Sequence, residues 1–172
     1  IYQEMNPEDI FILSSGHSSL ALFVVLEDKF GFDAQELYEK HGTHPKLDEK
    51  HHIYCSTGSL GMGITVAVGR ALANRDRNVY VLITDGESNE GSVWESLRFA
   101  HDHKLDNLKI HCNANGWSAY DSMDIDYLEK RLLAFYPDVV VNIETHPFAL
   151  RLYRLGWQVV DKLIKIFQVG LN

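Results

Sequence analysis

Little in this sequence suits a secreted, membrane-bound or nucleic-acid-binding protein. Only two of its 172 residues are cysteines, Cys55 and Cys112, and they form no Cys-x-x-Cys pair. That excludes a disulfide scaffold; two buried thiols in a reducing, cytoplasmic compartment are expected. No apolar run nears the ~20 residues of a membrane span, and no leader peptide is visible. Basic residues are scarce: sixteen Lys and Arg against twenty-four Asp and Glu give a formal charge of −8. A general nucleic-acid or membrane-surface binder needs a basic face, so both classes are excluded. With four prolines, there is no Pro-rich linker, and no repeat or low-complexity stretch divides the chain. A single domain over residues 1–172 is expected. A chain that opens on Ile1-Tyr2-Gln3 is expected to be a processed, trimmed or partial product.

What is there is a globular composition, 45% hydrophobic, in alternating strand-like and helix-like segments. Pro7 to Ile12 reads as a lead-in loop and a short extended piece. Ser14-Ser15-Gly16-His17 turns into a helix from Ser18 to about Lys29, with Gly31 as its C-cap. Asp33 to Glu36 has the capping-box spacing and predicts a short helix to Lys40. The polar, histidine-rich residues 41–56 read as a loop, and GSLGMG (58–63) opens a helix from about Ile64 to Asn74. Val79 to Thr84 is a continuous β-branched and apolar run, the pattern of a central parallel strand. Ser92 to Glu95 repeats the capping-box spacing and predicts a helix to about His103. Leu108 to Cys112 predicts a strand, Asp126 to Phe135 a helix, and Val139 to Ile143 a strand. Further on, Phe148 to Leu155 reads as a helix ended by Gly156, Trp157 to Val160 as a strand, and Asp161 to Phe167 as an amphipathic piece. The alternation predicts an α/β fold of three layers, a mostly parallel sheet with helices on both faces.

The stretch after the central strand is the informative one. A strand–turn–helix with glycine in its turn is a common phosphate site. This turn offers Asp85, Glu87 and Glu90 where Lys or Arg would be usual. Acids can stand beside a phosphate when a divalent cation lies between them, since Mg²⁺ takes hard oxygens from both. Asn115 comes thirty residues after Asp85 and follows the next predicted strand. That distance suits one helical crossover, and adjacent strands ~4.8 Å apart let both terminal loops reach one ion. Gly86 leaves room for a phosphate against the backbone.

Asp-Gly followed after about thirty residues by Asn resembles the thiamine diphosphate motif. Its surroundings are more specific. DGESNEGSVWESLRFA (85–100) with KLDNL (104–108), LSSGHSSLAL (13–22), GTHP (42–45) and STGSLGMGITVAVGRALA (56–73) look like transketolase, in the family's order. The resemblance covers roughly residues 8–120; later only LGWQVV (155–160) is similar. It implies the thiamine-diphosphate-binding fold. It also implies Mg²⁺, or another divalent cation such as Ca²⁺, held by the side chains of Asp85 and Asn115 and the carbonyl of Trp117. Gly86 would offer its amide to the diphosphate. His17 would contact the diphosphate or line the catalytic pocket. Gly58 and Leu60 would touch the middle of the cofactor. Glu90 would stand on the cofactor side at an interface between subunits, and His44 would face the substrate hydroxyls. The implied reaction moves a two-carbon ketol unit between sugar phosphates, with His17 and His44 as catalytic histidines.

The match has departures. The motif usually opens with glycine, and here it opens with Thr84. Asn113 and Ala114 replace the family's usual acidic and polar pair. An N-terminal segment with a further active-site histidine is expected to be missing. So is the pyrimidine-binding domain, whose glutamate drives cofactor activation, and the C-terminal domain. A separate C-terminal subunit is therefore expected, in a homo-oligomer (dimer) or heterotetramer. Plainer readings stand beside these. Asp85 can serve as a helix-entry acid and Asn115 as the turn residue before Gly116. His17 and His44 can be structural, the glycines can serve helix packing, and Glu87 and Glu90 can be solvated acids. His41 with His44, or His101 with His103, hint at zinc, but no regular tetrahedral set completes either pair. The other functions weighed are a deoxyxylulose-phosphate synthase, a 2-oxoacid dehydrogenase component, and a non-catalytic cofactor-binding remnant.

Overall fold

A computed structural model describes residues 1–118 and 121–143. In chain order the elements are β1 (Ile10–Leu13), α1 (Ser19–Phe30), α2 (Ala34–His41), α3 (Met62–Ala73) and β2 (Val79–Thr84). Then follow α4 (Gly91–Asp102), β3 (Leu108–Ala114), α5 (Ile125–Phe135) and β4 (Val140–Ile143). The four strands form one parallel sheet in the order β1-β2-β3-β4. The segments expected over 148–167 lie outside the described residues.

Strand alternation sorts the core into two faces. Ile10, Ile12, Val79, Val81, Ile83, Leu108, Ile110 and Cys112 pack with Ile64, Ala67 and Ala71 of α3, Val93 and Leu97 of α4, and Leu128 and Leu132 of α5. Phe11, Leu13 and Tyr80 point the other way, onto Leu22, Phe23 and Leu26 of α1 and Leu37 of α2. Helices thus cover both faces, the three-layer arrangement that the alternation implies.

Local chemistry sets most boundaries. Gly31 ends α1 in the left-handed region, at φ 76°. The Asp33 carboxylate accepts from the amides of Gln35 and Glu36 and starts α2. Asp124 does the same for α5 through the amide of Tyr127. Among the boundaries that shift, two have a visible cause. α4 begins at Gly91, with Glu90 as its cap residue, because the Ser92 hydroxyl donates instead to the Gly61 carbonyl at 3.2 Å. β3 runs two residues past Cys112, since Asn113 still pairs with Thr84 of β2.

The 41–56 loop is pinned by one carboxylate. Asp48 Oδ2 accepts from Lys40 Nζ at 2.6 Å and from His51 Nδ1 at 2.7 Å, with His41 Nε2 at 3.2 Å. The Lys40 hydrogen bond, then that of His51, holds Asp48 well below its usual 3.8. A carboxylate depressed by folding stabilises the fold above its unfolded value, and loses that stabilisation as pH falls through the folded one. Asp48→Asn is therefore expected to lower the urea midpoint at pH 7. The gap to wild type should close as pH falls below about 4. A gap unchanged between pH 7 and pH 3 would show that the charge of Asp48 does not hold the loop.

Candidate functional site

The carboxyl ends of β1, β2 and β3 meet at one edge of the sheet, where side chains join them beyond the last ladder bonds. Asp85 follows β2 and is buried, 1% exposed. Its amide donates to the Asn113 carbonyl at 3.1 Å. Its Oδ2 accepts from the amides of Asn115 and Gly116, each at 2.7 Å, and its Oδ1 from the Gly86 amide at 2.9 Å. One carboxylate thus clasps the loop after the neighbouring strand. Among the described residues no Lys, Arg or His forms an ion pair with it. The Asn115 side chain is turned into the same loop, its Oδ1 accepting from the Trp117 amide at 3.0 Å. Trp117 itself is 67% exposed.

Of the two acids for which a solvated place is the plain expectation, Glu90 is exposed but Glu87 is wholly buried, at 0%. Glu87 Oε1 accepts from the Ser14 hydroxyl at 2.6 Å and the Gly61 amide at 2.9 Å, and Oε2 from the Thr84 amide at 3.1 Å. It ties together the ends of β1 and β2 and the start of α3. Sequence reasoning misses this role, because two of the partners are main-chain amides and the third is a serine 73 positions away.

The histidine loop leans on the other side of the edge. The Thr57 amide donates to the Pro45 carbonyl at 3.0 Å, which brings GTHP against the glycine-rich stretch. A Cβ placed on Gly16 would lie 2.9 Å from His44 Cδ2, and one on Gly58 would lie 3.5 Å from the His44 ring. His44 therefore stands between the residue before His17 and the start of GSLG. His17, His44 and Gly58 are not buried, and Leu60 is half-buried. Gly61, at φ +75°, sits under Glu90: a Cβ there would lie 2.9 Å from Glu90 Cβ. The structure so gathers His17, His44, Gly58, Leu60 and Glu90 on one side of the edge and Asp85, Gly86, Asn115 and Trp117 on the other, with Glu87 between. The Gly86 amide, expected to serve a diphosphate, here points to Asp85.

The donor chemistry fits a hard divalent cation. Asp85 would supply carboxylate oxygens, Asn115 an amide oxygen and Trp117 a carbonyl, with no thiolate or imidazole among them. Main-chain N–H groups take two lone-pair sites on Asp85 Oδ2 and one on Oδ1, which leaves one site on Oδ1 for such an ion.

Beneath this edge Cys112 pairs with Ile83 across β2 and β3. Burial, aided by the Asp85 and Glu87 carboxylates, pushes its thiol up to about 12. Burial also raises Cys55. Neither cysteine of the native chain is expected to react with a thiol-disulfide reagent at pH 8, and both should react in denaturant. Rapid native labelling of Cys112 would contradict this packing.

The model of the family "Transketolase, thiamine diphosphate binding domain" matches residues 3–146. The chain is 35% identical over 147 residues to one of the subunits of apulose-4-phosphate transketolase from Phocaeicola vulgatus, covering 77% of this chain and 52% of that protein. It is 35% identical over 128 residues to the SqwG subunit of 6-deoxy-6-sulfo-D-fructose transketolase from a Clostridium species, covering 69% and 44%. It is 36% identical over 146 residues to human transketolase, covering 76% and 23%. The solved transketolase of Leishmania mexicana superposes with a TM-score of 0.59 at 26% identity, covering 74% of this chain and 22% of that one. The chain thus spans about half the length of these two bacterial relatives and about a quarter of the human enzyme. Matched over most of its residues by the family model, the chain belongs to the transketolase family, within its thiamine-diphosphate-binding domain.

Proposed function

We propose that this chain is the diphosphate- and metal-holding part of a transketolase, active once a partner subunit completes its site. The observation that carries the reading is the Asp85 clasp on Asn115 and Gly116. It draws the two arms of the thiamine diphosphate motif into one turn around a set of oxygen donors. Two relatives are named as subunits of their enzymes, which supports a separate partner chain. Assembly is proposed as a dimer or heterotetramer, in the cytoplasm, where two buried free thiols are at home.

In this reading Asp85, Asn115 and the Trp117 carbonyl would hold Mg²⁺, or Ca²⁺ in its place, and the Gly86 amide would exchange its bond to Asp85 Oδ1 for one to the diphosphate. When bound, thiamine diphosphate would supply the nucleophilic carbon that the two-carbon transfer needs. Gly58 and Leu60 line the cofactor's middle, and Glu90 supports the glycine loop from the side of the partner. His17 and His44, at the mouth, hold and move protons at substrate hydroxyls, work that an imidazole does near neutral pH. Sugar phosphates are the proposed substrates. The sugars in the names of the two bacterial relatives both carry an anionic group, a phosphate or a sulfonate.

Two variants test the roles. Asp85→Ala is expected to abolish Mg²⁺-dependent binding of thiamine diphosphate, measured by titration calorimetry. It should also cost about 1–3 kcal/mol of stability, since buried N–H donors lose their acceptor. Cofactor binding equal to wild type would remove Asp85 from the metal. His44→Ala is expected to leave cofactor affinity unchanged and to lower kcat of the completed enzyme by about 10²–10⁴-fold. A large loss of cofactor affinity would move His44 from the substrate to the cofactor. Cofactor binding without any turnover, even beside a matched partner, would favour the non-catalytic remnant.

A further inference from the structure

Glu87 is a fully buried acid that the reaction does not use directly. Its two oxygens accept three hydrogen bonds, and every partner is a donor: the Ser14 hydroxyl, the Gly61 amide and the Thr84 amide. These partners belong to different walls of the edge. Gly61 closes the GSLG stretch and precedes α3 at φ +75°. Thr84 precedes the Asp85–Gly86 turn, and Ser14 follows β1 on the way to His17. The contacts around it leave no slack. Ser14 Cα would lie 2.5 Å from a Cβ on Gly63, so the start of α3 is pressed onto the end of β1.

We infer that Glu87 is a positioning residue that fixes the spacing between the glycine loop 58–61 and the Asp85–Gly86 turn. On the proposed function, on which this inference rests, these are the supports for the middle and for the diphosphate end of one cofactor. A ligand that spans both gains from having the spacing set before it binds. A ligand that touches only the diphosphate end gains nothing from it. The two acceptor oxygens matter too. Three donors converge on the carboxylate, so an amide in its place turns an NH₂ group toward a donor and leaves one of them unanswered.

The test is Glu87→Gln in the full chain, titrated with thiamine diphosphate and, separately, with inorganic pyrophosphate, both with Mg²⁺. Affinity for thiamine diphosphate is expected to fall about tenfold or more, while affinity for pyrophosphate stays within about twofold. Amide hydrogen exchange at Gly61 should speed up in the same variant. Ser14→Ala removes one donor and keeps the carboxylate; it is expected to cost a few-fold in thiamine diphosphate affinity, and it carries the test if Glu87→Gln does not fold. An equal loss for both ligands would reduce Glu87 to general structural support and overturn the inference. So would thiamine diphosphate affinity unchanged in both variants. If the wild-type chain binds neither ligand, the cofactor reading fails and this inference falls with it. Wild-type binding that survives both substitutions overturns the inference alone.

Discussion

Where a parallel sheet ends, its ladder hydrogen bonds end too, and something else has to keep the strand tips in register. Here carboxylates do it. Asp85 reaches across from β2 to the amides of Asn115 and Gly116, one step past the last ladder pair. Glu87 reaches the other way, to Ser14 after β1 and to Gly61 before α3. The ladder continues sideways through side chains, with acids as acceptors and main-chain amides as most of the donors. Charged acceptors make such bonds shorter and stronger than neutral ones, and loop amides left buried without a partner would be costly.

This resolves the oddity of an acidic turn at a phosphate-type position. Of its three acids, only Glu90 faces solvent. Asp85 and Glu87 are turned inward, onto amides that would otherwise compete for water. Thr84, which departs from the family's glycine, is held in the same way: its amide donates to Glu87. The backbone at that position is thus fixed by a bond that does not depend on the side chain it carries.

Much of the fold is legible in the sequence because its signals are local. The β-branched run of Val79 to Thr84 is β2 to the residue, and Gly31 and Asp33 mark a helix end and a helix start as their chemistry requires. The start of α4 is not legible, because Ser92 has the side chain of a cap and a better partner elsewhere, the Gly61 carbonyl 31 residues away. Long-range competition of this kind leaves no trace in spacing. The pairing of Asp85 with the loop of Asn115 is legible because a crossover has a characteristic length. The burial of Glu87 is not, since a glutamate in a polar turn looks the same whether it faces water or three donors.

Gly16 shows how a position can be set by something missing. A single methyl group there would run into Thr57 and into the ring of His44. The bare backbone at this point of the turn after β1 is what lets the histidine loop close. Any side chain at Gly16 would have to displace Thr57 and His44 or open the contact between the two loops. The contact between these two loops thus depends on the absence of one carbon atom, and a substitution far simpler than the loss of a charged residue is enough to reshape it.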